Sequence, residues 1–406
     1  MTAIPRMTLT TLLALCGCLL SVSVVRAGEI RTLDGNSYSG DIVSFKAYEV
    51  QLRTGEGDKL TTFPLKDVIS VDFAPSARPV TRTPYLRVRL VDGSQLYCLT
   101  VGFQNKTMKL LLLSGQSLDV AFDQVHTVVC DAHDTNALNA FDVLQAESPK
   151  QDVIRVQNRE GTGIEPYEGV ILGANDVGTR LQFKERGLPD VANLNVARLR
   201  AMYFYRTNVG PGEKAIARIS DTFGNTFTAT RYVMDGSTCQ LTMQSGQDLK
   251  LMTSTISKFD LTPGKLVYLS DLEPSKVEET PILAELFRFR RDKNLEGGPL
   301  SVGRRIYPKG LALHSRTVLE YDVKGYSSFR TVLGLDDAMA GSAHAIVRIE
   351  ADDKEVLKTT VSSKDNKPQE LNLDMTGVQK LRLIVEYGDD LDLGDHVNFA
   401  DARLIK

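Results

Sequence analysis

The chain repeats one order of short strand patterns four times, and this repetition limits the fold most strongly. In the first copy, segments of alternating polarity run from Glu29 to Phe73 and are interrupted by Asp34-Gly35. Such a pair between alternating segments predicts a hairpin, because glycine takes positive φ without a Cβ clash. Each copy therefore predicts four or five short antiparallel strands.

The four copies are predicted at residues 28–76, 85–132, 150–207 and 213–272, and tandem repetition is the simplest account of them. A unit of this length is close to the lower limit for independent folding. We therefore expect small closed β-barrels, which leave no strand edge exposed and which pack against their neighbours. By strand count and length the copies resemble the small barrels of the Sm or Tudor kind, and this resemblance transfers no binding residue.

Residues 1–27 have the pattern of a secretory signal peptide. Arg6 precedes an apolar run from Leu9 to Val25, and Ala27 ends a small-residue cleavage site. We expect an exported chain, located in the periplasm, at the cell surface or outside the cell. The run is nearly long enough to span a bilayer, so an uncleaved anchor stays an alternative, as does a lipid-attached form. No later segment predicts a membrane span.

The charge balance argues against nucleic acid as a partner. The chain has a formal net charge of −3, and removing residues 1–27, which carry two arginines and no acidic residue, makes it −5. Phosphate binding needs a net or local cationic patch, so neither nucleic acid nor an anionic membrane surface is expected.

Three of the five cysteines remain after the predicted cleavage: Cys98, Cys130 and Cys239. An odd number is a poor disulfide framework, and the spacings match no zinc site. A Cys98–Cys130 bridge stays open, and small buried thiols are the favoured interpretation.

The last segment, residues 280–406, has the period-two alternation of antiparallel strands. Apolar residues take every second position between Thr317 and Val323, and similar segments follow as far as Ile405, separated by polar turns. This order predicts an antiparallel sandwich or jelly roll. The predicted fold class is therefore all-β: tandem small β-barrels followed by a C-terminal jelly-roll, galactose-binding-like β-sandwich.

Several motifs stand in order in this segment: Gly310-Leu311-Ala312-Leu313-His314-Ser315, Tyr321-Asp322-Val323, Leu333-Gly334-Leu335-Asp336 and Asp395 to Leu404. Together they resemble the NPCBM family of carbohydrate-binding modules, which are found attached to glycoside hydrolases of family 98 and in bacterial extracytoplasmic proteins. The resemblance implies a β-sandwich that binds sugar. Where the family usually carries a tryptophan near the end, this chain has Phe399, and no Trp occurs anywhere in it. A sugar platform made of indole is therefore excluded.

Polar side chains of this segment are the predicted ligand contacts: His314, Asp336, Asp395, His396, Asn398 and Asp401. Such groups orient sugar hydroxyls, while Phe or Tyr rings cover the apolar sugar face. Two alternatives stay open: a half-buried His314 whose ring nitrogens bond backbone, and a last strand whose outward residues are merely polar.

Acidic residues near the same strand ends could supply oxygen ligands for calcium: Asp336, Asp337, Asp389 and Asp392. Their spacing is not that of an EF-hand, and acidic turns are usually only solvated. Calcium is therefore a candidate cofactor and not a requirement.

The chain lacks a helical His-Glu-x-x-His, a Gly-x-Ser-x-Gly elbow and a phosphate-cradling glycine loop. We predict a non-enzymatic, exported carbohydrate-binding protein whose barrels serve as spacers or protein-contact modules. Its predicted partner is a glycan or a glycosylated surface, with envelope proteins as further candidates. A cell-envelope scaffold without sugar binding and an accessory subunit of a glycoside hydrolase remain alternatives.

Overall fold

The computed structural model of the 406-residue chain describes residues 26–46, 48–54, 59–73, 84–146, 149–206, 213–235, 237–280, 282, 286–339, 343–365, 367–389 and 391–406. Within these ranges 33 strands account for nearly all regular structure, which confirms the all-β class. Most of the predicted signal peptide lies outside the described residues, and its last two residues, Arg26 and Ala27, belong to the first strand. No helix of the described part is long and apolar enough to cross a membrane.

The first twenty strands form four groups of five, which span residues 26–72, 86–129, 152–203 and 217–260 and are here called repeats 1 to 4. Repeat 1 contains β1 (Arg26–Thr32), β2 (Ser37–Phe45), β3 (Glu49–Thr54), β4 (Lys59–Pro64) and β5 (Val68–Asp72). Repeat 2 contains β6 (Leu86–Leu90), β7 (Gln95–Gln104), β8 (Thr107–Leu112), β9 (Ser117–Ala121) and β10 (Val125–Val129), and helix α1 (Thr135–Ala146) follows it. Repeat 3 contains β11 (Asp152–Gln157), β12 (Ile164–Ala174), β13 (Arg180–Glu185), β14 (Val191–Asn195) and β15 (Leu199–Tyr203). Repeat 4 contains β16 (Ala217–Asp221), β17 (Thr226–Asp235), β18 (Thr238–Met243), β19 (Asp248–Met252) and β20 (Ile256–Asp260).

All four repeats share one topology. The first strand lies between the second and the fifth, and the third and fourth strands extend the sheet from the second, as in the order β5-β1-β2-β3-β4. A single 3-10 turn joins the fourth strand to the fifth, and a bulge bends the second strand. Among the strands of the described ranges no ladder joins the fourth to the fifth within a repeat, and the fifth strand pairs instead with the fifth strand of another repeat.

Backbone ladders join repeats that are not always neighbours in sequence. Strand β5 of repeat 1 pairs with β20 of repeat 4, and β10 of repeat 2 pairs with β15 of repeat 3. Repeats 2 and 4 meet where Gln95 pairs with Thr226. The spatial order is therefore repeat 1, 4, 2, 3, and one apolar core runs through all four.

The remaining strands form the C-terminal sandwich. Helix α2 (Thr262–Lys265) leads into β21 (Leu266–Tyr268), β22 (Lys276–Glu279), β23 (Arg290–Arg291), β24 (Leu300–Val302), β25 (Arg305–Tyr307), β26 (Gly310–Leu313), β27 (Thr317–Asp322), β28 (Ser328–Leu335), β29 (His344–Ala351), β30 (Lys354–Ser362), β31 (Gln369–Asp374), β32 (Lys380–Tyr387) and β33 (Val397–Ile405). One sheet has the order β23-β26-β33-β28-β31, with β21 also on β33, and the other has the order β22-β27-β32-β29-β30. Strands β24 and β25 form a separate hairpin.

The sandwich begins earlier than residue 280, where the sequence places its start. Strand β21 pairs with β33, and β22 pairs with β27, so both belong to the sandwich although they precede that position. Repeat 4 correspondingly ends near Asp260, and no linker separates the two parts. The carbonyl of Leu33 in the first hairpin of repeat 1 accepts hydrogen bonds from Arg330 at 3.1 Å and from Arg403 at 3.4 Å, which fixes repeat 1 against the sandwich.

The three described cysteines are free thiols, so the Cys98–Cys130 bridge is not formed. Burial raises the pKa of Cys98 to about 12 and that of Cys130 to about 11. These side chains therefore act as small apolar groups, which is the interpretation that the sequence favours.

Candidate functional site

Five of the six predicted ligand contacts lie together at one end of the sandwich, because three paired strands end there in register. Leu313 of β26 and Leu335 of β28 both pair with Val397 of β33. His314 and Asp336 follow the first two strands, Asp395 and His396 precede the third, and Asn398 lies just inside it. We call this end of the sandwich the loop end.

The centre of the loop end is a buried polar network. The side-chain amide of Asn398 donates to Asp336 Oδ2 at 2.6 Å and to the carbonyl of Ser301 at 3.1 Å. The other oxygen, Asp336 Oδ1, accepts from Asn294 Nδ2 at 3.3 Å and from the backbone N–H of Ala338 at 2.9 Å. Asp336 and Asn398 are 1% and 0% exposed, so they cannot contact a ligand directly in this conformation. They instead tie the β24–β25 hairpin and the loop after β28 to the central strand.

An aromatic group lies beside this network. The ring of Phe287 stacks on the imidazole of His314 with centroids 4.5 Å apart, and the imidazole of His396 approaches both rings at 5.5 and 5.6 Å. Nδ1 of His314 donates to the carbonyl of Ser315 at 2.8 Å, which matches the backbone-bonded alternative. Burial, followed by the nearby His314, holds the pKa of His396 below its ordinary value. Phe287 is half-buried and thus accessible in part.

The hydroxyl of Ser315 makes a further buried contact at the loop end. It donates to Asp395 Oδ2 at 2.5 Å, and both residues are buried. This contact joins the turn after β26 to the turn before β33. Ser315 therefore positions the loop end, although sequence reasoning did not single it out.

Asp401, the sixth predicted contact, does not lie at the loop end. Its carboxylate forms an ion pair with Arg403, whose guanidinium also bonds Leu33 of repeat 1. The pairing of β28 with β33 has a bulge at Asp401, because Val332 pairs with Ala400 while Arg330 pairs with Arg403. Such a bulge bends the strand. Asp401 thus belongs to the contact between repeat 1 and the sandwich.

Three of the four carboxylates predicted to hold calcium have other contacts in the described part of the chain. Asp336 is engaged in the buried network, while Asp337 Oδ2 accepts from the backbone N–H of Arg304 at 2.7 Å. The side chain of Asp389 is 98% exposed and lies 3.7 Å from His344. No three His, Cys, Asp or Glu side chains in the described part of the chain form a group that could hold a metal ion.

The surface of the loop end carries residues that the sequence did not point to. Glu296 and Asp337 are exposed carboxylates, and Leu391 and Leu393 are 59% and 64% exposed. Leu391 and Leu393 alternate with acidic residues, which is a sequence signal for an exposed apolar pair. Nothing in the sequence places Glu296 or Phe287 beside His396. Phe287 lies between β22 and β23, and Glu296 lies between β23 and β24, so the path of these connections across the loop end brings them beside His396.

The position that departs from the family pattern is part of the core. Phe399 is 0% exposed and lies within the sandwich core with Leu311 and Leu333. An aromatic ring at this position therefore fills the interior and cannot form a sugar platform. The replacement of tryptophan by phenylalanine at this position therefore changes the core and not the surface of the sandwich.

Residues 265–405 match the NPCBM/NEW2 domain. The match begins at the last residue of α2 and ends with β33, so the NPCBM/NEW2 domain and the sandwich coincide. No curated protein matches the chain.

Among solved structures, the chain is similar to CBM51 from Clostridium perfringens GH95, determined in complex with methyl-galactose. The identity is 26% over 34% of this chain and 99% of that chain, with a TM-score of 0.31. The tandem CBM51 modules of a family 98 glycoside hydrolase from Streptococcus pneumoniae are 23% identical over 35% of this chain and 47% of that chain, with a TM-score of 0.29. The CBM51-2 and INT domains of Clostridium perfringens ZmpB, in complex with GlcNAc, are 19% identical over 45% of this chain and 42% of that chain, with a TM-score of 0.31.

Proposed function

We propose that the chain is an exported, non-catalytic protein that binds a glycan at the loop end of its NPCBM/NEW2 domain. The observation that carries this proposal is the family match over residues 265–405, which coincides with the sandwich. The gathering of His314, Asp336, Asp395, His396 and Asn398 at one end supports the location. The four repeats act as spacers or protein-contact modules.

The buried polar residues act indirectly in this proposal. Asp336, Asn398 and Asp395 hold the surrounding loops, and the glycan contacts the side chains above them. The ring of Phe287 and the apolar Leu391 and Leu393 cover the apolar face of a sugar. The exposed carboxylates of Glu296 and Asp337 accept hydrogen bonds from sugar hydroxyls. A shallow site of this kind binds weakly, so binding in the cell depends on avidity among many displayed copies.

A scaffolding role in the cell envelope is the second candidate, and one observation favours it. His314, Asp336, Asp395 and Asn398 are at most 6% exposed. Each of them also has a hydrogen-bond partner within the protein. A sandwich that has lost sugar recognition keeps such a network for stability alone, and its partners are then envelope proteins.

A glycan array probed with the chain from Gly28 to Lys406 tests the proposal. We expect at least one glycan class to be bound by the wild type, and binding to be lost in Phe287→Ala. Tyr326→Ala is the matched control, because Tyr326 is a half-buried aromatic residue at the opposite end of the sandwich. Binding that survives in Phe287→Ala would refute the location, and absence of binding to every glycan would favour the scaffold.

Two further arms separate the remaining alternatives. The array is repeated with calcium and with a chelator, because loss of binding in the chelator alone would assign calcium a role at this end of the sandwich. Incubation of the full chain with polysaccharides, followed by analysis of released sugar, tests for catalysis. An accessory role for a hydrolase predicts release only when the separate enzyme is added.

A further inference from the structure

Repeats 2 and 3 enclose a cleft of about 360 Å³ on one side of their shared ladder. Its walls come from residues 84–86 at the start of β6, from β7, from the end of β10 and the residues after it, and from the 3-10 turn and strand β15 of repeat 3. The volume lies within the range of small-molecule sites, which are mostly apolar with a few polar groups at the mouth. The glycan proposal concerns the opposite part of the chain and does not use this cleft.

The interface between repeats 1 and 4 has the same construction. The backbone N–H of Phe73 donates to the carbonyl of Ser257 across it at 2.8 Å, as the backbone N–H of Cys130 donates to the carbonyl of Arg200 between repeats 2 and 3 at 2.8 Å. In the ladders, Phe259 pairs with Val71, and Met202 pairs with Val128. Phe73 therefore corresponds to Cys130, and Phe259 corresponds to Met202.

The bulges of the second strands add a third correspondence. The extra residue lies between Ile42 and Ser44 in β2 and between Cys98 and Thr100 in β7. The residue two positions after the extra one is Phe45 in β2 and Val101 in β7, so these two residues correspond. Val101, Cys130 and Met202 all line the cleft.

At the interface of repeats 1 and 4 the corresponding space is filled with aromatic rings. The centroid of Phe45 lies 5.0 Å from that of Phe259 and 5.8 Å from that of Phe73. At the interface of repeats 2 and 3, a valine, a cysteine and a methionine replace these three phenylalanines. The cleft therefore lies where the corresponding positions carry smaller side chains, and the ladders between the paired fifth strands keep the same register.

The charges at the cleft indicate a neutral occupant. One acidic and one basic side chain line it, Asp131 and Arg200. The guanidinium of Arg200 already donates to the carbonyls of Ala197 at 3.0 Å and Leu199 at 2.9 Å, and to the side chain of Gln157. The cleft therefore has no excess of positive or negative charge that would favour an anion or a cation. The hydroxyl of Thr100 can accept or donate one hydrogen bond.

We propose that this cleft binds a small, neutral aromatic molecule of one or two rings, which takes the place of the phenylalanine side chains found at the interface of repeats 1 and 4. The ring packs against Val101, Cys130 and Met202, and any hydroxyl or N–H group on it points towards Thr100 and the mouth. The site is distinct from the loop end, and it requires no glycan.

Phenol, indole and 2-naphthol serve as probes, with indole-3-acetate and tryptamine as charged analogues of indole. The chain contains no Trp, so the fluorescence of indole, excited beyond the tyrosine absorption band, reports binding without a tryptophan background. Labelled methionine methyl groups provide the second readout, since Met202 lines the cleft and Met108 is 0% exposed within the core. We expect neutral probes to bind more tightly than the charged ones, and to shift the Met202 signal while leaving that of Met108 unchanged.

Val101→Phe restores the ring found at Phe45 and should abolish binding. The double variant Val101→Phe with Met202→Phe copies the filled interface further, and a rise in its unfolding temperature would show that the rings fit. Val233→Phe is the control, because Val233 is 53% exposed on strand β17. Unchanged indole binding in Val101→Phe, equal binding of the charged analogues, or no binding to the wild type at millimolar concentration would each overturn the proposal.

Discussion

Glu320 on strand β27 offers the most quantitative test of how the sandwich is held together. Its carboxylate is 5% exposed and accepts hydrogen bonds from Lys380 at 2.6 Å and from Arg382 at 2.7 Å. Ser275, just before β22, donates to the same carboxylate at 3.1 Å. The contact with Lys380, helped by Arg382 and Ser275 and opposed by burial, lowers the pKa of Glu320 to about 2.

The lowered pKa sets the size and the pH range of the effect. A fall from the ordinary value of 4.5 to about 2 corresponds to roughly 3 kcal/mol of stability. Because Lys380 is 51% exposed, solvent screening reduces this to about 1–2 kcal/mol. The folded carboxyl has the lower pKa, so the stabilisation is complete above the unfolded pKa and is lost as the pH falls towards the folded value.

Glu320→Gln should therefore destabilise the sandwich by about 1–2 kcal/mol at pH 7, and the difference from wild type should shrink below pH 4.5 and vanish near pH 2. Hydrogen exchange of peptides from β27 and β32, measured across this pH range, gives the local free energy of opening. Glu370→Gln is the control, because Glu370 is an exposed residue of the edge strand β31. A difference that stays constant from pH 7 to pH 3, or is absent at pH 7, would refute the reasoning.

Three further predictions test the packing. Phe399→Trp should destabilise the sandwich by about 1–3 kcal/mol through overpacking and leave glycan binding unimproved, as urea unfolding and the array would show; tighter binding would contradict the buried position of this ring. Asp152→Ala should cost about 2–4 kcal/mol in urea unfolding, because its carboxylate accepts the backbone N–H groups of Ile171 at 2.9 Å and Tyr205 at 2.8 Å. Iodoacetamide at pH 8 should label Cys98 and Cys239 only after unfolding, since burial raises both thiol pKa values to about 12; rapid labelling of the native chain would contradict this.

The local order of strands could be predicted from the sequence, and the pairing between repeats could not. Alternating polarity marks each repeat, and Asp-Gly pairs mark the first hairpins of repeats 1 and 2, because both signals act over a few residues. The ladder between β5 and β20 joins strands nearly two hundred residues apart, and nothing local to either strand specifies its partner. The edges of the fifth strands are covered by other repeats rather than by the fourth strand of the same repeat.

The position of the candidate site could be predicted from the sequence, but the burial of its side chains could not. His314, Asp336 and His396 stand next to strand ends, and paired antiparallel strands bring such positions together. Whether a side chain points outward or into a network depends on the surrounding loops, and here the β24–β25 hairpin covers Asp336 and Asn398. Asp401 was misplaced because the bulge in the pairing of β28 with β33 is invisible in the alternation of residues.

The most direct test of the account is a titration of the best glycan from the array, followed through the imidazole signals of the histidines. We predict that His314 and His396 at the loop end shift on binding, whereas His126 and His133 in the repeats do not. Shifts confined to His126 and His133, or a saturable titration that moves no imidazole of the sandwich, would contradict glycan binding at the loop end.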